Sequence, residues 1–205
     1  MRLALPVMLL VVPPGPSATA QSPATAGWPD GDVRHATLSF DGKSSLGDFT
    51  GTTAKARGAM TGGATLADVR GWVEASVQTL KTGNGRRDRD LLKTMDAAVY
   101  PNIRFELAGA TPEWERGDSA GVLLNGQFVI HGVSRVERVM ALISRDSAGI
   151  HVRADLPMNL HDYKIDRLTR FMLLSMNPKI VVHIDLVFSA TGSAPAPVST
   201  PPPAG

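Results

Sequence analysis

Apolar and polar residues alternate with a period of two through most of this chain. Leu38 and Phe40 alternate with Thr37 and Ser39; Val69, Gly71, Val73, Ala75 and Val77 oppose Arg70, Glu74, Ser76 and Gln78. Ile103, Phe105 and Leu107 flank Arg104 and Glu106, while Val122, Leu124, Phe128 and Ile130 share a face with Gly126 between them. Ile150, Val152, Ala154 and Leu156 alternate with His151, Arg153 and Asp155. Ile180, Val182, Ile184, Leu186 and Phe188 do the same against His183 and Asp185. Side chains of a strand point to opposite faces in turn, so each run predicts a strand with one dry and one wet face. Turn signals separate them: Asp41-Gly42, Gly62-Gly63, Gly83-Asn84-Gly85, Gly117-Asp118, His131-Gly132 and Ala148-Gly149.

Helical spacing replaces the alternation twice. Leu91, Leu92 and Met95 form a short apolar stripe within 86–97, and Ile165, Leu168, Phe171 and Met172 recur until Pro178 ends the segment. Many one-sided strands joined by short turns must close into a barrel or pack as a sandwich.

The ends have a different character. Arg2 precedes an apolar run, Leu3 to Val12, broken only by Pro6; Pro13, Pro14 and Pro16 end it, and Ala18-Thr19-Ala20 offers a small-x-small cleavage pattern. Such a run is shorter than the ~20 residues a membrane span needs, and it reads as a secretory signal over 1–20. A flexible leader over 21–32, one domain over 33–190 and a disordered Pro/Ala-rich tail over 191–205 complete the expected organisation. The chain has no cysteine, so disulfides and lipoprotein acylation are excluded and stability has to come from a core. A net charge of +2 with acids and bases interspersed argues against a nucleic-acid partner, which calls for a basic face with stacking aromatics.

Candidate chemistry is sparse. The five histidines, His35, His131, His151, His161 and His183, lack the close spacing of metal ligands, and no metal is expected. His161-Asp162-Tyr163 has no Gly-x-Ser-x-Gly elbow beside it, and no glycine-rich loop joins a strand to a helix. No catalytic residue and no resident cofactor are therefore expected. Asn84 is expected to cap the following helix, Asp88 to favour its N-terminus, and Arg87 to pair with a nearby acid.

Leu66–Lys81 running into Thr82-Gly83-Asn84, the charged Arg86-Arg87-Asp88, and Tyr100-Pro101-Asn102-Ile103-Arg104-Phe105 follow in order. Leu124–Ser134 (LNGQFVIHGVS) and the strand Ile180–Phe188 complete a series that resembles the YceI-like family. The resemblance implies a mainly all-β fold: an extended, eight-stranded, antiparallel, lipocalin-like barrel with one or two short helices. It also implies a cavity for a long isoprenoid, quinone or fatty chain, and a periplasmic location in Gram-negative bacteria. Two departures stand out. Residues 44–63 lack the family's aromatic-rich strands, and a helical insertion, Arg167–Met176, stands where a loop is usual.

On the residues alone, the inward phase either fills a core or lines a cavity. The resemblance favours a cavity walled by Leu38, Phe40, Val73, Val77, Ile103 and Phe105 together with Leu124, Phe128, Ile150, Val152, Ile184 and Phe188. Asn84, Arg87 and Tyr163 would stand at its mouth. The expected function is that of an exported lipid-binding protein, not an enzyme, with a long-chain lipid as ligand; transient membrane contact and homodimerisation stay open. Two other readings remain. One is an interaction or stress protein with a filled barrel that docks a partner or membrane through 165–176. The other is a lipid-modifying enzyme using His161, Asp162 or Tyr163.

Overall fold

The structure, a computed structural model, describes residues 27–45, 47–166 and 176–189. The expected signal sequence, residues 21–26 of the expected leader, the 191–205 tail and the helix expected around 167–175 lie outside the described residues. The strands are β1 (Gly31–Gly42), β2 (Phe49–Thr53), β3 (Ala56–Thr61), β4 (Arg70–Ser76) and β5 (Asn102–Arg116). β6 (Ser119–Ile130), β7 (Val133–Asp146), β8 (Gly149–Asn159) and β9 (Lys179–Phe188) follow. The described α-helix, α1 (Gly85–Thr94), lies between β4 and β5.

Every strand pairs antiparallel with its neighbour, and β1 also pairs with β9, which closes the sheet. The nine strand segments make eight staves. Leu38 pairs with Thr53 of β2 and Gly31 with Met60 of β3 in one continuous register, so β2 and β3 are halves of a single stave broken at Ala54-Lys55. The fold is thus the closed, eight-stranded, antiparallel, lipocalin-like barrel with one helix that the sequence led us to expect. Closure joins the first and last strands, which would otherwise be the free edges of an open sheet.

The alternation maps onto the wall. In β6 the even-numbered residues from Ala120 to Ile130 are all buried, and Gly126 is among them because the Phe105 ring of β5 lies across its Cα, where a Cβ would overlap it. Phe105 and Phe128 stack there with centroids 4.6 Å apart. Two bulges in β5, at Leu107/Gly109 and Pro112/Trp114, bend that strand around the barrel. The barrel extends back to Trp28, whose backbone exchanges hydrogen bonds with Gly63.

Some elements differ from the sequence reading. The strand expected over Leu66–Lys81 is only Arg70–Ser76, flanked by 3-10 turns at Leu66–Asp68 and Val77–Thr79. β2, β3 and β7 had no counterpart among the alternating runs. β7 hides its pattern because Val136, Met140 and Leu142 stand exposed on the outer face; β2 and β3 are rich in Gly, Thr and Ala and carry few large apolar residues.

Outside the closing seam, His183 of β9 sits between two carboxylates. Its Nδ1 is 2.6 Å from Asp155 of β8 and its Nε2 is 3.1 Å from Asp41 of β1. Hydrogen bonds to Asp155 and then Asp41 raise the His183 pKa above its ordinary value, while the Thr50 hydroxyl and His183 hold Asp41 low. A raised histidine pKa means that the folded state binds the proton more tightly. Its contribution is complete below an unfolded-state pKa of about 6.5 and is lost as pH rises through the folded value. We expect the urea midpoint to fall over that window, and the fall to flatten in His183→Ala; an unchanged pH profile in the variant would show that the cluster contributes nothing.

Candidate functional site

A cavity of about 500 Å³ runs along the barrel axis, within the size range typical of ligand sites. From Ile150 to Met158, both on the lining, it follows roughly 26 Å of strand at about 3.3 Å per residue. Its walls are apolar because each strand turns its dry phase inward. β9 contributes Ile180, Val182, Ile184, Leu186 and Phe188, and β8 contributes Ile150, Val152, Ala154 and Met158.

The two ends differ. At one, Trp28, Leu66 and Val69 lie on the lining, and Arg145 covers the Trp28 ring at 4.5 Å. At the other, α1 lies across the barrel and supplies Arg86, Arg87, Asp90, Leu91 and Thr94 to the lining, beside Asn84 and Phe49. Asn84 and Arg86 are exposed, so the cavity reaches solvent here, and this end is the mouth.

The mouth is held by local hydrogen bonding. Asn84 caps α1 by accepting from the backbone N–H groups of Arg86 and Arg87 at 3.0 and 3.2 Å. Asp88 accepts from the hydroxyl and the N–H of Thr82 at 2.7 and 2.8 Å, which lowers its pKa and ties the helix to the turn before it. His131 occupies the tight β6–β7 turn with φ 51°. Its Nδ1 donates to the Tyr163 carbonyl at 3.2 Å and its Nε2 lies 3.3 Å from Asp96 just past α1, so one ring joins three loops. The Tyr100 ring packs on His131 at 4.8 Å.

Residues 30–188 match the model of the YceI-like domain. The chain belongs to the YceI-like family. Solved structures share the fold at low identity. A polyisoprenoid-binding domain from Saccharophagus degradans, implicated in plant cell wall breakdown, superposes with a TM-score of 0.66 at 17% identity, covering 80% of this chain and 99% of its own. BcnA of Burkholderia cenocepacia gives 0.63 at 16%, covering 74% and 95%. The YCEI protein of Campylobacter jejuni gives 0.55 at 18%, covering 68% and 82%. No curated protein matches the chain in sequence.

Within this YceI-like barrel, Leu38, Phe40, Val73, Ile103, Phe105 and Leu124 all lie on the cavity lining, as do Phe128, Ile150, Val152, Ile184 and Phe188. Val77 does not. The alternation stops at Ser76, and the 3-10 turn that follows packs Val77 fully into the core. Asn84 and Arg87 stand at the mouth. Tyr163 is not on the lining: its carbonyl is tied to His131 beside the mouth, but its ring is buried and its hydroxyl donates to Glu137 at 3.2 Å. Burial and that carboxylate push the phenol pKa up. Arg87 pairs with no acid among the described residues; it lies over the Phe49 ring at 4.2 Å and donates to the Thr82 carbonyl.

Sequence reasoning missed Trp28, Phe49, Trp72, Met158, Ile165 and Met176, which also line the cavity. Trp72 falls on the polar phase of its strand, where Arg104 covers it at 4.4 Å; Met158 continues the inward phase of β8 one step past Leu156, and the others lie on strand ends or loops where alternation gives no signal. His161 and Asp162 are exposed and off the lining; His161 is 2.8 Å from Asp166. Among the described residues, no three His, Cys, Asp or Glu side chains gather as a metal set.

Loss of the Asn84 side chain leaves two helix N–H groups unsatisfied. Asn84→Ala is expected to lower stability by about 1 kcal/mol in urea denaturation; a loss near zero would mean that water replaces the cap.

Proposed function

We propose that this protein is exported and holds a long apolar molecule, an isoprenoid, quinone or fatty chain, along the barrel axis without covalent chemistry. The observation that carries the reading is the long apolar cavity with a polar mouth at α1. Each buried methylene contributes about 0.8 kcal/mol, so a dozen leave several kcal/mol after ordering costs. The family and its polyisoprenoid-binding structural relative support the ligand class. The 1–20 pattern supports export, and a periplasmic site follows in a host with an outer membrane. A filled barrel acting only through a docking segment would leave no such volume.

Expression of the full chain in a Gram-negative host, purification without detergent, and mass spectrometry of the solvent extract test this directly. A stoichiometric isoprenoid, quinone or fatty chain is expected; an empty extract and no uptake of offered lipid would sink the reading. Ala154 lies on the lining at mid-wall, paired with Ile184. Ala154→Phe is expected to abolish lipid retention while the near-UV spectrum and thermal midpoint change little.

A further inference from the structure

At the end of the cavity remote from α1, β8 and β9 contribute their outermost inward pair, Ile150 with Phe188. The lining there is completed from outside the strands, by Trp28, Leu66 and Val69. Leu66 and Val69 are fully packed, whereas Trp28 is half-buried, so its indole meets both the enclosed apolar space and the exterior. The Arg145 guanidinium rests on that ring at 4.5 Å and is itself off the lining.

The segment that carries the ring is fastened on purpose-built contacts. Trp28 and Gly63 exchange backbone hydrogen bonds at 2.7 and 3.0 Å, and Asp30 accepts from the Gly62 N–H at 2.7 Å. The Trp28 carbonyl occupies the place where a Cβ on residue 62 would stand, so glycine is needed for the two segments to approach this closely. Arg145 is anchored in turn by its own N–H, which donates to the Asp118 carbonyl at 2.8 Å. Trp28 precedes β1 and also precedes residues 30–188, which match the family model, so the ring is an addition of this chain's own leader to the barrel.

We infer that Trp28 is the stop that sets the longest apolar chain this barrel holds. This rests on the lipid-binding reading and deepens it, from the class of molecule held to its permitted length. A chain that enters at α1 with its polar end last buries more hydrocarbon with each added unit until its tip meets the indole. Units beyond that length stay outside the barrel and gain nothing from it. The strand residues along the wall set girth; the fastened ring sets length. Replacing the indole by a methyl group opens space of about the bulk of an isoprene unit, bordered by the apolar Leu66 and Val69.

Delipidated protein, produced from the full chain, is equilibrated with phosphatidylcholine vesicles carrying traces of all-trans isoprenoid alcohols in one-unit steps from farnesol to solanesol. The alcohols that partition to the protein are then quantified by mass spectrometry. The unsubstituted protein is expected to show a limiting length beyond which the bound fraction falls. Trp28→Ala should move that limit up by at least one isoprene unit, raising retention of the first excluded alcohol at least ~10-fold, the discrimination a single methylene commonly brings in an apolar pocket. Shorter alcohols should bind as before. Trp28→Phe, with a smaller ring, serves if the alanine protein misfolds and should shift the balance the same way by less. An unmoved limit, no limit as far as solanesol, or an equal loss of every alcohol (the mark of a merely weakened fold) overturns the assignment and leaves the cavity reading standing. Binding of no alcohol at any length, with no lipid in the solvent extract, overturns both.

Discussion

Closure of the sheet is the constraint on which the rest depends. Once β1 pairs with β9, the sheet returns on itself and the inward side chains face one another across a confined space. A closed eight-stranded sheet is just wide enough for its own side chains or for one slender guest. Which of these happens depends on side-chain size. Gly71, Ala75, Ala110 and Ala154 on the lining leave room between Leu, Ile and Phe, and the room is continuous. The wall is mostly hydrocarbon, with only Ser39, Thr53 and Ser76 among the described residues bringing polar side chains from the strands, and the charged lining residues are gathered at the α1 end.

The ends are built on different principles. The floor is covered by Trp28, held by backbone exchange with Gly63 and capped by Arg145. The mouth is a set of loops fastened by side-chain hydrogen bonds: Asn84 on α1, Asp88 on Thr82, and His131 on Tyr163 and Asp96. An aromatic ring under a guanidinium closes one end and a charged helix borders the other, a difference that would give a bound amphiphile a preferred orientation.

The strands with the cleanest alternation, such as β8 and β9, were legible in the sequence along with most of the wall they form, since period two is the direct imprint of a one-sided sheet. Val77 shows the limit of that logic: it keeps the phase of β4, but the backbone has already turned. Tyr163 shows another, because an aromatic beside charged residues resembles a rim residue until Glu137 is seen to receive its hydroxyl inside the packing. Arg87 could be placed on a helix from sequence, but that it lies over the Phe49 ring and donates to the Thr82 carbonyl instead of pairing with an acid depends on where α1 lands against the barrel. β7 carries apolar residues on both faces, so its pattern was blurred at its source.

The broken stave gives the barrel an uneven wall. Between Val33 and Thr37 the ladder joining β1 to β2 and β3 lapses, and β1 bulges on its other side at Val33/His35. A hoop with one slack segment can widen there without giving up hydrogen bonds elsewhere. Fewer backbone hydrogen bonds resist widening at this level than where both ladders of β1 are intact, which would suit a guest of variable thickness better than one of variable length.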